Sequence, residues 1–205
     1  WYGMFPQLGA PLGFILSNGS FLVLSNYLSN EDFISWGWRI PFIASAILVF
    51  VGLYVRLNIE ETPDFKKVLE SKEQVKVPML TVFSKYTGTL ILGSLAATTT
   101  FVIFYLMTVF TLSWGTAHLG YQREPFLLSQ LVAILFFAIG IPLSSKWADK
   151  AGTFKVLMVA TILIFLFGLA FKPLFVAGNL GLTTAFLSLG LLLMGFTYGP
   201  LGTAL

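Results

Sequence analysis

Residues 36–42 read Trp36-Gly37-Trp38-Arg39-Ile40-Pro41-Phe42, and after Arg39 no charged residue appears until Arg56. Two indoles and a guanidinium at the mouth of the uncharged run 40–55 fit a bilayer boundary better than a soluble core. Trp rings settle at the headgroup level, and an arginine reaches from an apolar stem toward phosphates. Pro41 falls in a first turn, where no backbone donor is lost. The stretch predicts a helix entering a membrane.

Composition extends that reading to the whole chain. Of 205 residues 10% are charged, 57% are hydrophobic and 21 are Phe, against roughly 25% charged in a soluble domain. Such a chain cannot keep a soluble surface, so the lipid bilayer is its solvent. The net charge of +3 comes without base-reading motifs or a basic stripe, which excludes nucleic acid as a partner. No cysteine is present, which excludes disulfides and thiolate metal ligands. A lone histidine, His118, leaves no His-based metal site. The start at Trp1 has no positively charged leader and reads as a cut rather than a signal peptide.

Stretches without Asp, Glu, Lys or Arg cover residues 1–30, 40–55, 86–122, 125–145, 156–171 and 173–205. About 20 apolar residues cross the hydrocarbon, and shorter runs manage with interfacial flanks. Six spanning helices are expected, over about 6–28, 38–56, 87–112, 125–145, 155–171 and 180–203. These runs are too long for barrel strands and lack their alternation. The predicted fold is all-α and polytopic.

Charge orients it. Nine basic residues fall on one side, in residues 56–85 (Arg56, Lys66, Lys67, Lys72, Lys76, Lys85) and 144–155 (Lys146, Lys150, Lys155). Three fall on the other: Arg39, Arg123 and Lys172. The positive-inside rule puts loops 57–85 and 145–155 in the cytoplasm. The long connection reads as a turn at residues 60–64 followed by a surface-lying amphipathic helix over 65–75, or as a solvated linker. It divides the chain into 1–57, 58–85 and 86–205.

No catalytic constellation appears: there is no Ser/His/Asp set, no paired carboxylates within a span and no phosphate-binding glycine loop. Intramembrane carboxylates are where proton relays are found, and none lies inside a span, so a proton carrier would lie outside this stretch. Small residues form stripes, Gly9, Gly13 and Ser17 in the first helix and Thr184, Ser188, Gly195, Gly199 and Gly202 in the last. Such stripes permit close helix contact, either as static packing or as surfaces on which helices rock. Pro11 and Pro200 add places to bend. Polar side chains within spans are the candidate binding residues. Thr98, Tyr105 and Thr108 fall within about 80° on a straight helical wheel at about 100° per residue. Gln130 is an amide in mid-helix, Gln7 and Asn18 mark the first span and Tyr198 the last. His118 and Arg123 read as interface anchors.

Trp36–Phe42, the apolar span and then Arg56-Leu57-Asn58-Ile59-Glu60-Glu61-Thr62-Pro63-Asp64-Phe65 together resemble the metabolite:proton symporter family of the major facilitator superfamily. So do Tyr105-Leu106-Met107-Thr108, Leu119-Gly120 and Tyr198-Gly199-Pro200-Leu201. The resemblance implies helices five to ten of a twelve-helix, two-bundle fold. Residues 1–57 would then end the N-terminal bundle, 58–85 link the bundles and 86–205 begin the C-terminal one. It also implies a monomer in the bacterial inner membrane that symports protons and a small-molecule substrate, an organic acid or osmolyte, without a cofactor. On that basis the chain is a fragment of a protein roughly twice its length.

Residues 146–152, Lys-Trp-Ala-Asp-Lys-Ala-Gly, resemble the superfamily's G-x-x-x-D-(R/K)-x-G gating loop. That implies gating roles for Asp149 and Gly152, although Ser145 replaces the first Gly and Thr153-Phe154 the usual basic pair. The helix-five antiporter motif G-P-x-x-G-G is not reproduced by residues 9–13, which favours symport. Substrate contacts are expected at Asn18, Tyr105, Thr108, Gln130 and Tyr198, with Gly9, Gly13, Gly195 and Gly199 as gating or packing positions. The competing class, a channel or non-transporting receptor, would show a repeated filter or charged ring, and neither is present.

Overall fold

In hydrocarbon, backbone polar groups need partners within the protein, and helices supply them segment by segment. The computed structural model describes residues 3–58 and 83–204, and among these every regular element is helical. We number the principal helices α1 (Met4–Tyr27, with a turn at Leu8), α2 (Asn30–Asn58), α3 (Thr87–Ala117), α4 (Arg123–Ala151), α5 (Thr153–Leu169) and α6 (Leu180–Ala204). A single helical turn, Phe171–Leu174, joins α5 to α6. Five of the six are long and apolar enough to cross a membrane. With 17 residues, α5 sits at the short end of the crossing range, about 17–25 residues. The expected amphipathic helix over 65–75 lies outside the described residues.

Several boundaries differ from the sequence expectation. α2 begins at Asn30 rather than near residue 38. Ser29 caps it, its Oγ accepting from the Asp32 amide at 3.1 Å and donating to Asp32 Oδ2 at 2.7 Å. This S-x-x-D cap is readable in sequence and marks the true start. Residues Phe33–Gly37 then form a π turn. A Cβ on Gly37 would press on the end of the Leu28 side chain. Arg39 folds back rather than reaching outward: its Nη1 donates to the Ser35 carbonyl and its guanidinium lies 4.6 Å from the Trp38 ring. The edge of the Trp38 ring meets Phe42 at 5.9 Å.

The second correction concerns loop 145–155. α4 continues unbroken through Lys146, Trp147, Asp149 and Lys150 to Ala151. The break before α5 is the single residue Gly152, at φ +89°, a conformation that favours glycine. Charge marks where a helix leaves hydrocarbon, not where its hydrogen bonding stops.

α4 and α6 pack along each other and form the axis of the core, with half of each apolar window buried. α3 and α5 flank α6, while α1 lies against α4 and sets its first turn on α6. α2 meets mainly α1, and none of its apolar window is buried. Phe126, Phe137 and Phe186 fill the centre with Ile134, Leu187 and Leu191. Around Phe186 the rings of Phe167, Phe171 and Phe175 lie at 4.7, 5.0 and 6.1 Å.

Candidate functional site: a polar groove on α3 and the α4–α6 crossing

The α4–α6 crossing rests on glycine. A Cβ on Gly195 would lie 2.7 Å from Phe137 O and 2.8 Å from Gly140 Cα, and one on Gly140 would lie 2.7 Å from Leu192 O. One on Gly199 would press on Ile141 O at 2.6 Å and on the Ser144 and Ser145 hydroxyls. Gly140 and Ser144 thus face Gly195 and Gly199 as paired small residues four apart, the spacing that brings membrane helices into backbone contact. Ser144 Oγ donates to Gly195 O at 3.0 Å, and Thr184 Oγ1 donates to Ser129 Oγ at 2.8 Å farther along the seam. The α6 half of this seam was legible in sequence. The α4 half was missed, although Gly140-Ile141-Pro142-Leu143-Ser144 carries the same small-x-x-x-small signal.

Gly9 and Gly13 behave differently, since a Cβ on either would meet nothing within 4 Å among the described residues. Gly202 faces the Gln7 amide. Asp149 is exposed near the end of α4, and the Gly152 amide donates to Ala148 O at 2.9 Å, closing the last turn.

On the side of α3 turned away from this seam runs a groove of about 830 Å³ lined by α3 alone. Ser94, Thr98, Tyr105 and Ser113 supply its polar atoms between Phe101, Val109 and Phe110. Tyr105 is 61% exposed. The structure brings Thr98 and Tyr105 together as the wheel predicts and separates Thr108 from them. Thr108 is buried, and its hydroxyl donates to Phe104 O at 2.6 Å. The reason is a π turn over Leu106–Phe110, which rotates the C-terminal part of α3 away from its straight-helix register.

Gln130 does not line this groove. It is fully buried between α3 and α4, and its Nε2 donates to Thr108 O at 2.5 Å and Met107 O at 3.4 Å. Tyr198 is half-buried with its ring 5.4 Å from Phe137. Asn18 is half-buried on α1, outside the groove lining, and its side chain makes no hydrogen bond among the described residues. His118 stacks on Trp114 at 3.9 Å and Arg123 lies 6.0 Å from the Phe33 ring, both near helix ends. Tyr121, which the sequence reading passed over, ties the neighbouring loop. Its hydroxyl donates to Val176 O at 2.5 Å and accepts from the Asn179 amide at 3.1 Å. No group of His, Cys, Asp or Glu among the described residues could hold a metal.

Apolar helices long enough to cross a bilayer, a glycine-built crossing and a polar strip in an apolar groove define a polytopic helical membrane protein. The sequence profile of the Major Facilitator Superfamily matches residues 1–205. The chain belongs to that superfamily. It is 46% identical over 209 residues to the inner membrane metabolite transport protein YhjE of Escherichia coli K12, covering all of this chain and 48% of that protein. It is 28% identical over 165 residues to the shikimate transporter of the same organism, covering 80% of this chain and 38% of that protein. To the E. coli K12 proline/betaine transporter it is 26% identical over 207 residues, covering 95% and 41%. No solved structure matches. The chain spans about half the length of the relatives it matches most fully.

Proposed function

We propose that the chain forms the fifth to tenth helices of a secondary transporter, a proton-coupled symporter that carries a small polar metabolite across a bacterial inner membrane by alternating access. The observation that carries this reading is the groove on α3. It sets four polar side chains along one face of an apolar helix, open on the side away from the core. Thr98 Oγ1 donates to Ser94 O at 2.8 Å within the helix, whereas the Tyr105 hydroxyl has no hydrogen-bond partner among the described residues. Facing lipid it would be costly, and facing a water-filled path near the midplane it suits a carrier. Relatives named for shikimate and for proline and betaine support a small, polar, carboxylate-bearing substrate. In this reading 1–57 closes the first bundle, 58–85 is the cytoplasmic connection and 86–205 opens the second. The carrier works as a monomer, and its coupling carboxylate lies outside these residues.

Tyr105→Phe in the full-length carrier, reconstituted in proteoliposomes, tests the groove. Removing one hydrogen-bonding hydroxyl costs about 1 kcal/mol, so the half-saturation concentration should rise roughly three- to tenfold with insertion unchanged. Kinetics identical to the native protein across the metabolites transported would remove Tyr105 from the path. A pH gradient, inside alkaline, should drive accumulation, and a protonophore should abolish it. Accumulation that ignores the protonophore would end proton coupling.

Orientation is tested separately. This chain has no native cysteine, so in a full-length carrier freed of cysteine elsewhere each introduced thiol reports alone. An impermeant maleimide added to whole cells should label Gln122→Cys and spare Ser71→Cys; the opposite pattern reverses the assignment.

A further inference from the structure

The π turn in α3 has a specific partner on α4. In an α-helix the Thr111 amide would donate to Met107 O, but here it donates to Leu106 O, five residues back. Met107 O thereby loses its backbone donor. Two side chains take its place: Thr111 Oγ1 at 2.7 Å and Gln130 Nε2 at 3.4 Å. The same amide nitrogen holds the adjacent Thr108 O at 2.5 Å. Gln130 and Thr111 are both fully buried, where an unpartnered carbonyl would be costly.

The turn has a consequence for the faces of α3. Ile103, Met107, Thr111 and Gly115 are all buried, and each lies four residues after the last. At 3.6 residues per turn, steps of four drift by about 40° each and would carry Gly115 about 120° from Ile103. A wider π turn absorbs most of that drift. The groove residues also step by four on either side of the turn, Ser94 to Thr98 and Tyr105 through Val109 to Ser113, with a step of seven between. The π turn therefore keeps the buried ladder straight and tightens the groove ladder.

We infer that Gln130 is a positioning residue: its amide pins the π turn of α3, so that the two halves of the groove, Thr98–Tyr105 and Val109–Ser113, share one face. Without the pin the Thr111 amide returns to Met107 O, and the halves rotate against each other by about 100°, the turn of one residue. The inference stands on helix register. Only the statement that the groove carries substrate rests on the transport reading.

Nitroxide scanning of positions 97–102 and 111–116 in the full-length protein in liposomes tests it. Accessibility to oxygen reads lipid, a nickel chelate reads water, and shielding from both reads burial, so register is measured whichever medium fills the groove. In the native chain the shielded minima should fall at Thr100, Thr111 and Gly115. Gln130→Leu should rotate the shielded phase of 111–116 by about 100° relative to that of 97–102. Deleting Val109 removes the extra residue, so it should restore the native phase difference in the Gln130→Leu background and make Gln130 dispensable there. A Gln130→Leu protein with native phases overturns the inference, as does a shift that the Val109 deletion leaves uncorrected. If Gln130→Leu alone fails to accumulate, recovery in the deletion background supports the pin, and failure there overturns it. Lipid rather than water contact at Thr98 and Ser113 would instead remove the transport reading while leaving the register result intact.

Discussion

Gly195→Leu is expected to abolish accumulation of folded protein, and Gly195→Ala to lower its thermal midpoint clearly. The added Cβ has no room, because the atoms it meets at 2.7 and 2.8 Å are the Phe137 carbonyl oxygen and Gly140 Cα. Both are backbone, and neither can rotate away as a flexible side chain would. α6 must lift off α4, which also stretches the Ser144 Oγ to Gly195 O bond now at 3.0 Å. Overpacking costs roughly 1–3 kcal/mol for small insertions, and interhelical hydrogen bonds in membranes average about 0.6 kcal/mol. Steric separation therefore outweighs the loss of any one polar contact along the seam. Thermal unfolding of the purified full-length protein in detergent, followed by size-exclusion, measures the effect. A Gly195→Leu protein with a native midpoint would show that the backbones do not meet there. Gly13→Ala, whose Cβ meets nothing among the described residues, should stay within about 0.5 kcal/mol.

Phe186→Ala should be the next most damaging change. The ring is 1% exposed and touches Phe167, Phe171 and Phe175, so its loss opens a cavity where α5, the short turn after it and α6 meet. Phe→Ala costs about 3–5 kcal/mol in soluble cores. Part of that is transfer out of water, which is small when separated helices still lie in lipid. The lost dispersion contacts remain, which leaves an expected cost of about 2 kcal/mol by the same comparison. Phe165→Ala, on the same helix as Phe167 but 70% exposed, should shift the midpoint little. Equal shifts for the two variants would overturn the view that ring packing, rather than aromatic content, stabilises this end of the bundle.

Membrane class, the six helical regions and superfamily membership were legible in the residues themselves. An uncharged run of crossing length needs only its own backbone to be satisfied, and a tryptophan–arginine boundary depends on the bilayer rather than on a partner. Exact helix ends were less legible. Ser29 and Asp32 cap α2 ahead of the charge-free run, and α4 stays helical through its charged residues 146–150.

Which face each helix presents was decided by tertiary structure. Thr108 reads as a neighbour of Tyr105 on a straight wheel, yet it is turned inward because α3 widens by one residue at Leu106–Phe110. Nothing local to α3 announces that turn; it shows only in the packed structure, where Ile103, Met107, Thr111 and Gly115 are buried in steps of four. The released Met107 carbonyl is met locally by the Thr111 hydroxyl, and the second donor comes from Gln130 on another helix, which also holds the adjacent Thr108 O. Likewise Gly195 and Gly199 promised a close contact, and only the packed structure supplied Gly140 and Ser144 as the other side. Hydropathy and capping are properties of adjacent residues, so the sequence carries them directly. Register and contact depend on hydrogen bonds and backbone spacing between helices distant in the chain, and these exist only once the helices have met.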